Sequence, residues 1–282
     1  MIYGDNVSDV VIRDIQLVGN SANNLTDGYG IRIENSIRVL IENVTSCDFR
    51  YDGIVFAGQS SYCTVKNCHA NNNLRDGICI YQGNSSQIID CMTSSNGRFG
   101  IIAHTTAGCR VQNCTAYSNY DVNIISVSSN DIIFTGNSTY GSTTKYGLQF
   151  NTVTRGVMSN NSAFCNFGVG IDCWNSQNCV LNSNIVYNNT LQGIAIDTYS
   201  YYAICTNNQV YSNGGCGISC FKSGSVLISG NQVVNNNQGN HTWNPALPLA
   251  INNPNGISGI WVHDEAGGES SNVKIMNNNC SD

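Results

Sequence analysis

The stretch Gly170-Ile171-Asp172-Cys173-Trp174 returns 23 residues later as Gly193-Ile194-Ala195-Ile196-Asp197, and that return decides the fold. Toward the N-terminus the same glycine, followed by alternating apolar residues, stands at Gly147, Gly100, Gly77, Gly53 and Gly30, with Asn123 replacing it once. Toward the C-terminus it stands at Gly217 and Gly259; every step is 23 or 24 residues except the last, which is 42. A near-constant period of this size marks stacked coils, each too small to bury its apolar face alone.

A second register agrees with the first. Val44, Cys68, Cys91, Cys114, Asn137, Asn161, Asn184, Asn208, Asn231 and Asn278 share the period, and five residues after members of this series come Asn73, Asn96, Asn119, Asn166, Asn189, Asn213 and Asn236. Such columns read as inward asparagine ladders that satisfy main-chain groups at the corners. The chain is therefore expected to be all-β, a right-handed parallel β-helix of about ten or eleven coils with three short strands per coil, coils stacking about 4.8 Å apart into a rod roughly 50 Å long. The recurring glycine is expected to hold a corner at positive φ.

Composition supports this. Of 282 residues only 11% are charged and 3 are Pro, whereas 28 are Gly, which suits corners and short strands better than long amphipathic helices. The 14 Cys fall mostly at core-facing repeat positions and are expected to be free thiols, because stacked side chains pointing the same way rarely reach the torsion of a disulfide. A net charge of −6 with only 12 scattered Lys and Arg argues against a nucleic-acid partner, and no run of 18 apolar residues argues for a membrane span. Residues 1–282 read as a single β-helix domain with an insertion at 237–258, which holds all three Pro. The final Asn279-Cys280-Ser281-Asp282 offers no capping helix, so the domain is expected to be a piece of a longer extracellular or cell-surface protein.

Period-two alternation places the second and fourth residues after each recurring glycine on the outer face of one sheet. The C-terminal third of that face carries Asp172, Trp174, Asp197, Tyr199, Lys222, Trp261, His263, Asp264 and Glu265, beside the insertion. Aromatic rings stack on sugar faces and paired carboxyls supply acid and base, so the expected ligand is a polysaccharide. Asp172 and Asp197 are the candidate acid and base, with His263, oriented by Asp264, as an alternative base. Trp174, Tyr199, Lys222 and Trp261 are candidate binding residues, Lys222 facing a substrate carboxylate. The plain alternative is a solvated face. Asp264, Glu265 and Glu269 are of the type that ligates Ca²⁺, but no fixed-spacing loop supports a metal, and no cofactor is expected. Arg50, Arg75, Arg98 and Lys145 recur just before the early glycines and form an edge suited to an anionic polymer. Tyr117, Tyr140, Phe164, Tyr187 and Tyr211 form an outward aromatic row, suited to a glycan, a neighbouring subunit or plain self-stacking.

The repeat resembles the pectate-lyase-like superfamily of parallel β-helix proteins, phage tailspikes among them. A nearer likeness, over Tyr29 to His104, is to mannuronan C5-epimerases. Tyr29-Gly30-Ile31-Arg32-Ile33-Glu34 stands where that family has Tyr-Gly-Phe-Asp-Pro-His, and Asn72-Asn73-Leu74-Arg75-Asp76-Gly77 is similar to its Asn-Asn-Asp-Arg-His-Gly. The family's catalytic Asp and His positions hold Arg32 and Glu34, and a further expected Asp is Ala57; Arg75 alone carries over, as a substrate-carboxylate contact. The leading expectation is thus a polysaccharide-active hydrolase or lyase on an extracellular polymer, acidic ones included. The rival is a non-catalytic spacer, adhesin or tailspike segment, in which case a trimer is the expected assembly.

Overall fold

The computed structural model describes residues 1–22, 28–237, 259–263 and 270–281. Its strands pair in parallel within two sheets, one of eleven strands and one of twenty. Each coil gives one strand to the first sheet and two arms to the second; in the first two coils the arms run together as Val11–Val18 and Leu40–Cys47. Residues one period apart lie directly over one another, Ile171 against Ile194 and Trp174 against Asp197. The register also holds across the 42-residue step, where Ile218–Phe221 pairs with Ile260–His263. Residues 238–258, most of the proposed insertion, lie outside the described residues.

One continuous core fills the coil interior from Ile31 to Val233, dominated by Ile, Val and small Cys and Ala. The thiols there are free, and only Cys165 and Cys280 of the fourteen are exposed. Both asparagine columns exist. Asn137 donates its amide to Asn161 Oδ1 (3.0 Å), Asn161 to Asn184 (3.0 Å), Asn184 to Asn208 (3.0 Å) and Asn208 to Asn231 (2.9 Å). Each Oδ1 also accepts the backbone N–H of the asparagine one coil earlier, and each Nδ2 also donates to a corner carbonyl, as Asn161 does to Phe134 O (3.0 Å). No polar atom of these amides is left over, which is what permits so many in a dry interior. Cys114 shares the slot because its thiol reaches the equivalent corner carbonyl, Ile88 O at 3.6 Å.

The recurring glycine is needed for a different reason than expected. Positive φ occurs at Gly58, Gly108, Gly136, Gly141 and Gly230, not at the repeat glycines. A Cβ on Gly53 would stand 2.7 Å from Asn73 Nδ2 and 2.8 Å from Gly77 O, and one on Gly77 would stand 2.7 Å from Asn96 Nδ2. The glycine therefore makes room for the ladder amide of its own coil. The exception proves the geometry: where Asn123 replaces glycine, Ser142 replaces the ladder asparagine. The Asn123 amide then fills the gap, accepting from Asn119 Nδ2 (2.8 Å) and donating to Asn166 Oδ1 (3.0 Å).

The left-handed corners belong to other columns, such as Asn67, Asp90, Asn113, Asn160, Ser183 and Asn207, all with φ near 50°. Asn, Asp and Ser bond locally to the backbone and tolerate that region better than bulky residues do. Abundant asparagine thus serves two purposes, inward in the ladders and outward at the turns.

An arginine and aromatic groove on the outer face of the eleven-stranded sheet

On the outer face of the eleven-stranded sheet the expected alternation holds, but the face is not bare. Val55, Ala57, Cys79, Ile102 and Ile125 are buried with Tyr29 and Val122, and Tyr51, Phe99 and Tyr146 pack against them. These rings come from the residues just before the repeat glycines Gly30, Gly53, Gly100 and Gly147. The result is a groove of about 540 Å³ with an apolar floor. Arg32, Arg75 and Arg98 stand on its walls beside Tyr29, Tyr81, Phe99 and His104.

Buried carboxylates fix two of the arginines. Asp52 and Asp76 have no solvent exposure, whereas the Arg75 and Arg98 side chains keep 37% and 44% of theirs. Arg75 Nε donates to Asp52 (2.6 Å) and Arg98 Nε to Asp76 (2.8 Å), each pair closed by a second bond from Nη2. The Asp76 N–H also donates to Asp52 (3.1 Å), and the Phe99 N–H to Asp76 (3.2 Å). Rings complete the clamp: the Arg75 guanidinium lies 5.7 Å from the Tyr29 ring and 5.4 Å from the Tyr51 ring, and Arg98 lies 4.8 Å from Phe99. Burial pushes the Asp52 carboxyl above its ordinary range, against the pull of Arg75, and that same pairing raises Arg75. In sum the pairs are neutral, yet their positive ends face the groove while the negative ends are buried. Asp52, Asp76 and Cys79 bring ligand-type atoms within 4.8 Å of one another, but guanidiniums already hold both carboxylates, so the cluster does not suit a cation.

At one end Arg32 turns back onto Glu34 through Nε (2.9 Å) and Nη2, and Tyr3 donates to Glu34 (2.9 Å). Along the fourth-residue column, His104 stacks on Tyr81 with centroids 5.0 Å apart and planes 20° apart. Its Nδ1 is 2.9 Å from the Thr105 hydroxyl. Burial and then Arg98 lower the His104 pKa, with Asp76 opposing.

The candidates read from sequence lie further along the same face. Asp172 is 3% exposed and accepts from Gln149 Nε2 at 2.7 Å. Burial, then the charge of Asp197, raise its carboxyl well above the ordinary range. Asp197 sits diagonally on the next strand, opposite Trp174, and is also raised by burial, against bonds from Thr198 and the charge of Lys222. Trp174 is partly exposed. Trp261 is buried and stacks on His263 at 3.6 Å, and His263 stacks on Phe221 at 4.6 Å, with Lys222 Nζ 5.0 Å from the Phe221 ring. Tyr199 occupies an exposed corner at φ 64°. Asp264, Glu265 and Glu269 lie outside the described residues. The structure thus gathers Asp172, Asp197 and Trp174 in one neighbourhood and Lys222, Trp261 and His263 around Phe221, while Arg75 belongs to the groove nearer the N-terminus.

Tyr81, Arg98 and His104 line the groove although no sequence motif marks them as binding or catalytic groups; only Arg98 falls in the basic edge. A signal was present in Tyr51-Asp52-Gly53, Arg75-Asp76-Gly77 and Arg98-Phe99-Gly100: an Asp before one repeat glycine predicts an Arg partner two residues before the next. The outward aromatic row also forms, from Tyr117 to Tyr211 with centroids 4.9 to 5.1 Å apart. Its ring faces cover one another, so within the row they are not open to a sugar.

A stack of parallel coils in this register defines a right-handed parallel β-solenoid. The chain belongs to the right-handed β-helix family: the model described as a right handed beta helix region matches residues 1–142 and 100–253. No curated protein matches the sequence. Among solved structures, the A-module of mannuronan C-5 epimerase AlgE6 from Azotobacter vinelandii is 17% identical with a TM-score of 0.68, covering 98% of this chain and 75% of that one. The catalytic domain of a GH87 alpha-1,3-glucanase is 15% identical with a TM-score of 0.62, covering 95% of this chain and 54% of that one. PfbA, a surface adhesin of Streptococcus pneumoniae, is 11% identical with a TM-score of 0.63, covering 98% of this chain and 70% of that one. At these identities the likeness is one of fold, and it extends to carbohydrate-active enzymes and an adhesin alike.

Proposed function

We propose that this β-helix is a polysaccharide-active domain of an extracellular or cell-surface protein, and that it takes an acidic glycan lengthwise along the outer face of its eleven-stranded sheet. The observation that carries this reading is the groove itself. Guanidiniums held outward over buried carboxylates keep N–H donors for a ligand carboxylate, and flanking rings offer apolar faces to a sugar. The chain would continue toward Trp174 and Asp197, four to five strands on and therefore about 20 Å away at the usual strand spacing.

On this reading Asp172 and Asp197, with His263 and Asp264, form the candidate acid and base set for hydrolysis, and Trp174, Tyr199, Lys222, Trp261 and Arg75 contact substrate. Burial, then the charge of Asp197, push the Asp172 carboxyl upward, the direction a general acid needs. One observation favours the non-catalytic alternative, a spacer, adhesin or tailspike segment: Asp172 is almost sealed and already bonded to Gln149. A panel of acidic and neutral polysaccharides, assayed for binding and for new reducing or unsaturated ends, separates these readings. Binding of acidic polymers is the expected result, and hydrolysis that Asp197→Asn abolishes would place cleavage at the carboxyl pair. Binding with no new ends selects the adhesin reading; no binding of any acidic polymer defeats the groove.

A further inference from the structure

The described residues lining the groove include three arginines, two tyrosines and a histidine, and no carboxylate is among them. Hydrolysis of a glycosidic bond calls for two carboxyl groups flanking it. Elimination calls for something else: a base beside a carbon whose neighbouring carboxylate is neutralised. His104 has the properties of such a base. Its ring is held by stacking on Tyr81 and by the Thr105 hydroxyl at Nδ1. In the tautomer whose Nδ1–H donates to Thr105, the Nε2 lone pair is free to accept a proton. Burial and then Arg98, against Asp76, lower its pKa and so favour the neutral imidazole, and the flanking strands place Tyr81 and Val127 beside it.

We propose that His104 removes the proton α to a uronate carboxylate held by Arg75 and Arg98, so that a bound acidic glycan is cleaved by β-elimination. The C5–H bond breaks and Nε2 takes the proton. The electron pair left on C5 forms the C4=C5 double bond as the C4–O bond breaks, and the departing oxygen takes a proton from water. Nε2 then returns its proton to solvent, so no oxidant, reductant or further reactant is required. The guanidiniums stabilise charge that builds on the carboxylate as the C–H bond breaks. The mannuronan epimerase positions do not supply this base, since they hold Arg32 and Glu34.

The inference rests on the groove being an acidic-glycan site, and the experiment separates the two. Polygalacturonate, polymannuronate, polyguluronate and hyaluronan are offered in turn, with binding followed by titration and unsaturated uronate ends by ultraviolet absorbance. The wild type is expected to bind at least one and to generate unsaturated ends. His104→Ala and His104→Gln should lose about 100-fold or more in rate while binding changes little. The rate should fall in acid only below the ordinary histidine pKa of about 6.5. Arg98→Gln should move that limb upward, a shift that a merely structural role for His104 would not produce. Should Arg98→Gln fail to fold, the His104 titration followed by NMR in the wild type serves instead, with a value below the ordinary one expected. Binding without unsaturated ends, saturated ends alone, or unsaturated ends undiminished in His104→Ala each overturn the elimination while leaving the groove intact. Absence of binding to all four polymers overturns both.

Discussion

The two halves of the eleven-stranded sheet's outer face bury carboxyl groups in opposite ways. Toward the N-terminus Asp52 and Asp76 are sealed under guanidiniums. Toward the C-terminus Asp172 is sealed against an amide, and the hydroxyl of Thr198 is the nearest bonded partner of Asp197. Similar burial of Asp52, Asp76 and Asp172 therefore leads to different chemistry. A carboxylate with a bidentate arginine serves as a foundation that aims the cation outward, whereas one bonded only to neutral groups is pushed toward its neutral form.

The sharpest way to break this contrast is Arg75→Ala. It strips the cation from Asp52, and loss of one partner of a buried pair costs about 3–5 kcal/mol. Because burial already holds Asp52 above its unfolded pKa, the penalty should be greatest at neutral pH and shrink as acid protonates the carboxyl, which denaturant melts at pH 7 and pH 4 would reveal. Asp172→Asn should act the other way. A carboxyl raised on folding contributes stability at low pH that is lost as pH rises toward its folded pKa, so the neutral amide should stabilise the protein at pH 7 by roughly 1–3 kcal/mol and flatten its pH dependence. Equal destabilisation by both substitutions would erase the distinction between the halves.

A smaller effect tests the interior that both halves share. Asn123→Gly should cost about 1–3 kcal/mol by leaving Asn119 and Asn166 without their amide neighbour, and adding Ser142→Asn should restore most of it by rebuilding the regular ladder. Simple additivity in thermal melts of the double variant would show that the two exceptions are independent. Arg155→Ala is the smallest case. Its partner Asp131 is half exposed, unlike Asp52, so the midpoint of unfolding should not move measurably.

Sequence made the solenoid legible because stacking forces identical side chains into one column, and a period of 23 or 24 needs no tertiary knowledge to detect. Asn161, Asn184 and Asn208 lie in the column that their spacing implied. The reason for the repeat glycines was not legible, since steric exclusion by Asn73 or Asn96 at the far end of the same coil leaves the same mark as a demand for positive φ. The outer face was harder still. Alternation places Val55, Cys79 and Ile102 outward, and one-dimensional spacing cannot show that Tyr29, Phe99 and Tyr146 fold over them from the preceding turn. These apolar outward positions thus form the groove floor. Asp172 was found by residue type, but its near-complete burial and its bond from Gln149 on the neighbouring strand are invisible in a pattern.

The central claim, that outward-aimed arginines make this face a receptor for acidic glycan, is tested most directly by titrating one uronate oligosaccharide and its carboxyl-reduced, neutral counterpart into the protein under the same conditions. The account predicts that the acidic form binds at least about tenfold more tightly, equivalent to one charge-assisted hydrogen-bonded contact. Equal affinity for the two forms, or tighter binding of the neutral one, would contradict it.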